Sequence, residues 1–183
     1  SLVSKFISKF VHLSAFGKNL IEGILKIAIF IGYTALTALT KDIRRTYEYH
    51  GAEHKTIACY EHEEELTVEN VKKYTRFHPR CGTSFIFLVL FISIFVNTIF
   101  RVSWASILLR VVIKIALLPI VTGIAYELIR LAGRYDNIFT KIISAPGLWI
   151  QRITTSEPDE SQIECAIAAL KACIPENKED DKW

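Results

Sequence analysis

Long apolar runs, interrupted by one densely charged stretch, set the pattern of this chain. Polar side chains are sparse from Leu20 to Leu39, and the run has about the ~20 residues that a bilayer's hydrocarbon core requires of a helix. Glu22 and Lys26 near its start are one helical turn apart. They can pair and anchor at the interface, or mark a polar pathway. A second run from Phe85 to about Phe100 is rich in aromatic and β-branched residues, with Ser93 as its mid-span polar residue. A third, from about Ile107 to Leu128, carries Arg110 and Lys114 on one face, Pro119 as a kink and Glu127 near its far end. Only Arg101 to Ser106 join the second run to the third, so the two form an antiparallel hairpin. The pattern predicts an all-α membrane protein with about three transmembrane helices.

The flanking segments read differently. Residues 1–18 place Leu2, Val3, Phe6, Ile7, Phe10, Val11 and Leu13 near a helical period, which predicts an interfacial amphipathic helix or the end of a span, with His12 a surface histidine. In the polar stretch, KDIRRTYEYHGAEHK can continue the first span's helix, although Gly51 weakens it by about 1 kcal/mol against alanine. TIACYE suits a short strand and EHEEE an acidic turn. Thr67 caps a helix over VENVKKYTRF, with Val71 and Tyr74 facing inward, and Pro79 stops it. Beyond Arg134, NIFTKIISAPGLWIQR fits the membrane interface, with Trp149 at headgroup depth. TTSEPDESQIECAIAALKAC reads as a capped soluble helix with Pro158 in its first turn and Ile163, Ala166, Ile167 and Leu170 in one stripe. Cys165 and Cys173 are packing residues there, and ENKEDDKW is a disordered tail. The expected divisions are 1–40, an amphipathic helix and first span; 41–82, a cytosolic metal-binding segment; 83–133, the hairpin; and 134–183, an interfacial segment, soluble helix and tail.

Composition sharpens the membrane reading. Of 183 residues 51% are hydrophobic, and the mean hydropathy is +0.29, more apolar than a soluble domain usually is. A net charge of +3, with no basic run interleaved with aromatics, excludes nucleic acid as the expected partner. The four cysteines lack disulfide-like spacing and are expected as reduced thiols. The chain opens with Ser1 and has no methionine, which reads as a processed product or part of a longer protein. No small-residue site ends the N-terminal stretch as in a cleavable signal peptide. Residues 41–80 hold eight Lys/Arg and eight Asp/Glu, and further basic residues follow the third run. Positive-inside counting puts segment 41–82 and the C-terminus in the cytoplasm of a multi-pass cell-membrane protein. The N-terminal lysines lean the other way, which leaves room for an upstream span or re-entrant piece.

The chemistry concentrates at the two ends of the polar stretch. His50 and His54 are four apart, so a helix presents both imidazoles on one side. With Glu53 they form the H-x-x-E-H arrangement, in which two histidines hold zinc and the glutamate takes a proton from a water held there. His78 and Cys81, H-x-x-C with Pro79 inside, resemble half a zinc knuckle. One zinc ion per chain is expected on His50, His54, His78 and Cys81. All four together make a closed, structural shell; three leave room for water, with Glu53 as general base and Lys55 or Arg80 near an oxyanion or anionic headgroup. In the H-x-x-E-H peptidases a further glutamate downstream completes the shell; here Glu127, in or near the third run, is an awkward candidate for that place, and the acids at 61–65 are closer. Glu127 with Arg130 is an interfacial ion pair or a partner orienting a ligating histidine.

Four blocks in order, YHGAEHKTIACYE, LTVENVKKYTRFHPRCGTSF, GIAYELIRLAGRYDN and SAPGLWIQRITTSEPDESQIECAIAAL, spanning roughly residues 40–172, resemble the bacterial YqhQ-like family. Its members are membrane proteins described as predicted metal-dependent enzymes. The resemblance therefore implies a multi-span protein with a cytosolic metal-binding motif, and names no substrate. The family also carries a glycine-rich N-terminal block without counterpart here, which implies a fragment, a separate N-terminal partner segment or a homo-oligomer beside the lipid bilayer. The reading is a membrane-embedded, zinc-binding, hydrolase-like enzyme; the alternative is a non-catalytic scaffold, adaptor or transport component with a structural zinc. A transporter would depend on Glu22, Lys26, Arg110 and Lys114.

Overall fold

The structure, a computed structural model, describes residues 15–99, 106–135 and 137–175. The interfacial helix expected ahead of residue 15 with His12, the turn over 101–105 and the tail from 176 lie outside the described residues. Among those described there are helices and no strands: α1 Ala15–Thr37, α2 Lys41–Glu61, α3 Val68–Lys72, α4 Gly82–Ile99, α5 Ile107–Arg134, α6 Ile138–Thr154 and α7 Glu160–Cys173. The all-α class expected from the apolar pattern is the class observed. Two compact units divide the chain. One holds the residues up to Tyr33 with Pro79–Ile150, the other Thr34–His78 with the residues from Gln151 on.

In the first unit α4 packs on α5. Among the described residues two helices are long and apolar enough to cross a membrane, over Leu20–Thr37 and Val111–Arg134, and α4 is apolar over the shorter stretch Gly82–Asn97. Only 11% of each of the two longer stretches is buried, so their apolar side chains face outward instead of filling a core. Glu22 pairs with Lys26 at 3.0 Å and stands 4.0 Å from Lys114, which is the pairing expected from their spacing. The side chain of Arg110 lies outside the description. Glu127 and Arg130 form an i,i+3 ion pair at 3.6 Å.

The second unit is built on α2, with α7 and α3 against it. Ala52, Cys59, Val71, Ile163 and Ile167 form its core, and Leu66, Val68, Tyr74 and Ala166 pack around them. Here the structure corrects five expectations. TIACYE is no strand but the last turns of α2, because Ala52, Thr56 and Cys59 recur at helical spacing on the face that meets α7, and burial overrides local strand propensity. Nor does α2 continue α1, since a turn over 38–40 separates them. Thr67 caps α3, its hydroxyl accepting from the Asn70 N–H at 3.3 Å, but α3 ends at Lys72. For α7 the cap is Asp159, with Pro158 one residue outside: Asp159 accepts from the Gln162 N–H at 2.9 Å and the Gln162 side chain accepts from the Asp159 N–H at 2.9 Å. The Ser161 hydroxyl and the Gln162 N–H hold the Asp159 carboxyl below its ordinary value. Cys165 and Cys173 are exposed and do not pack. Loss of solvent pushes the buried Cys59 thiol up, with Glu64 adding to it, and the same two causes push the Tyr74 phenol up to about 12 as it donates to Glu64 at 2.8 Å.

Candidate metal centre

Within the second unit, α2 carries His50 and His54 on adjacent turns, and 3.6 residues per turn stacks them as expected. Their ring centroids are 4.3 Å apart, and one ring nitrogen of each lies within 4.8 Å of the other. The His78 ring lies beside His54, centroid to centroid 5.7 Å. His54 is 3% and His78 6% exposed, so these imidazoles have exchanged water for protein partners.

Those partners decide which nitrogen carries the lone pair. A backbone carbonyl can only accept. His50 Nδ1 therefore donates to the Thr154 carbonyl at 2.8 Å and His54 Nδ1 to the Arg76 carbonyl at 2.7 Å. In the neutral ring both Nε2 atoms are then the basic ones, which is how proteins orient imidazoles for metals. At His78 the polarity is reversed. Its Nε2 faces the Glu61 carboxylate at 3.3 Å, which leaves the lone pair of the neutral ring on Nδ1.

One loop holds the set together. The Arg76 guanidinium donates to the Thr155 carbonyl and hydroxyl and to the Gln151 carbonyl, while Arg76's own carbonyl receives His54. Glu157 bridges this arginine at 3.6 Å and the buried Lys55 ammonium at 2.7 Å. The fully buried Gln151 amide pairs with the His78 backbone in both directions, accepting from its N–H at 2.8 Å and donating to its carbonyl at 2.7 Å. A Gln151→Ala variant strips both partners from buried backbone groups and is expected to cost about 2–4 kcal/mol. Chemical unfolding of the purified protein measures this, and a loss below about 0.5 kcal/mol would count against the pairing.

The candidate residues therefore divide. His50, His54 and His78 come together. Glu53 is exposed on α2. Lys55, a candidate for oxyanion contact, is engaged by Glu157. Cys81 and Arg80 belong to the first unit, where Cys81 is buried with its sulfur 3.1 Å from the Thr83 hydroxyl. Glu61, one of the acids at 61–65 weighed as the downstream glutamate, stands seven residues after His54, two turns on along the same face, and that spacing is its signal in the sequence. Gln151, Thr154 and Glu157 have no such signal, since they reach the site from about a hundred residues away.

The family described as "Protein of unknown function (DUF1385)" matches residues 1–176. The chain is also similar to "Uncharacterized protein YqhQ" of Bacillus subtilis (strain 168), 41% identical over 155 residues, which is 84% of this chain and 48% of the relative. The chain thus spans about half the length of the curated relative it matches. No solved structure matches.

Proposed function

The chain belongs to the DUF1385 family, and from that premise, together with the imidazole cluster, we propose that it is a membrane-embedded, zinc-binding protein, a metal-dependent enzyme of hydrolase type whose site faces the cytosol. The observation that carries this reading is the pair His50 and His54, each with Nδ1 committed to a backbone carbonyl. Such rings suit a borderline-soft divalent ion. In this reading His78 is the third proposed ligand and the fourth place is left to water, whereas Cys81, three residues on from His78, closes the shell in the alternative below. Zinc, when bound, supplies Lewis acidity that lowers the pKa of water toward ~7. Glu53 is the proposed base that takes the proton, and Glu61 holds the His78 ring in one orientation. Membrane residence rests on the two outward-facing apolar helices, and the cytosolic face on the Lys/Arg bias.

A second reading has its own observation. Cys81 is only 4% exposed, as befits a thiolate that closes a four-ligand structural shell. The protein is then a non-catalytic scaffold, adaptor or transport component.

Zinc content of the detergent-purified protein, measured by mass spectrometry for wild type, Glu53→Gln and Cys81→Ser, tests both. The enzyme reading expects about one zinc per chain, kept in Glu53→Gln and in Cys81→Ser. Loss in Cys81→Ser, with a sulfur-to-metal charge-transfer band in cobalt-substituted wild type, establishes the closed shell instead. A wild type that takes up no metal when zinc is supplied sinks both.

A further inference from the structure

The first unit contains an apolar groove of about 400 Å³ between α4, α5 and α6. Phe87, Phe91, Ala132 and Ile142 contribute to its walls, and Ser84 and Ser144 supply hydroxyls. Along the groove Phe91 is 46% and Ile142 66% exposed, so the space opens outward.

Charge gathers at one end of this groove. Pro79 and Ala132 line it there, and their chain neighbours Arg80 and Gly133 are in close contact. A Cβ on Gly133 would stand 2.4 Å from Arg80 Cδ and 2.8 Å from Cγ. The absent side chain at 133 is what lets the arginine stem, out to Nε, lie against α5 one residue from the groove-lining Ala132. Arg130 and Arg134 on the last turns of α5 and Lys141 on the first turn of α6 are exposed in the same part of the unit. Against these four cations stand Glu127, paired with Arg130, and Asp136 in the sequence. The balance is positive.

We propose that this groove binds an anionic glycerophospholipid, with an acyl chain along the α4–α5–α6 cleft and the phosphate at Arg80. Charge complementarity selects this occupant: an apolar slot that ends in clustered cations fits a molecule with an apolar tail and an anionic head. The inference rests on the proposed membrane residence but is independent of the metal.

The test is native mass spectrometry of the full detergent-solubilised chain with phosphatidylglycerol or phosphatidylcholine of identical acyl chains added. Wild type is expected to retain one phosphatidylglycerol with about tenfold preference, the size of one good charge-assisted contact. Arg80→Gln brings the two lipids to within about twofold. Gly133→Ala does the same by displacing a flexible arginine stem, not backbone. Ala132→Phe fills the groove and removes both lipids. Each variant is checked for wild-type helix content by circular dichroism. Equal retention of the two lipids by wild type, preference unchanged in a folded Arg80→Gln, or a dimer that excludes lipid overturns the proposal. Release of the chain from membranes by alkaline carbonate, without detergent, overturns the membrane reading instead.

Discussion

His54→Ala is expected to lower zinc affinity by more than about two orders of magnitude, while His62→Ala leaves it unchanged. Loss of a single partner that orients a ligand typically costs 10–100-fold, and His54 is the ring to which both other imidazoles are adjacent. Its removal takes away one proposed ligand and the donor to the Arg76 carbonyl. His62 is the natural control. It is exposed at the end of α2, bonds the Ala58 carbonyl and lies against Tyr74, away from the other three histidines in the contacts it makes. Zinc-dependent thermal unfolding reads the difference. A hundredfold excess of zinc over its dissociation constant adds about 2.7 kcal/mol to the stability of a binding protein. Wild type and His62→Ala should show this gain, and His54→Ala should not. Equal gains in all three would mean that zinc binds elsewhere on the chain.

Much of this site was legible before any coordinates, and the legible part has one physical basis. Local periodicity fixes His50 relative to His54, and it fixes Glu61 relative to both, because the helix itself sets those distances. The apolar runs that became α1, α4 and α5 could be read for the same reason: they are long and locally uniform. What could not be read is whatever comes from distant sequence. Thr154 orients His50, Gln151 clamps the His78 backbone, and Glu157 neutralises Lys55 across separations that no periodicity reports. TIACYE illustrates the competition. Its composition suits a strand, yet Cys59 and Ala52 meet Ile163 and Ile167 of α7 only if the segment stays helical. The long apolar helices and the amphipathic α7 could be told apart by run length, but the division into two units, with α1 and α6 each contributing residues to both, carries no local signal.

Gly51→Ala reverses the sign that helix propensity alone assigns. In an isolated helix the substitution gains about 1 kcal/mol. Here a Cβ at residue 51 would stand 2.1 Å from the Ser156 carbonyl oxygen, which is backbone and cannot swing aside as a side-chain tip can. The 154–156 segment runs directly over this turn of α2: the Ser156 N–H donates to the Tyr47 carbonyl at 2.9 Å and the Thr154 carbonyl takes the His50 proton at 2.8 Å. Admitting a methyl group means lifting that segment and breaking both bonds. Overpacking costs about 1–3 kcal/mol and each lost hydrogen bond about 1 kcal/mol, so the net loss should be about 2–4 kcal/mol even after the propensity gain. Gly32→Ala in α1, where nothing lies within 4 Å of the added methyl, isolates the propensity term and should be neutral or slightly stabilising. The same displacement frees His50 to rotate, so zinc affinity should fall by about 10–100-fold in Gly51→Ala and hold in Gly32→Ala. Side-by-side chemical unfolding and zinc titration of the two variants decides the matter. A Gly51→Ala protein as stable as Gly32→Ala would show that the 154–156 segment does not lie against α2, and would remove the reason for assigning the His50 lone pair to Nε2.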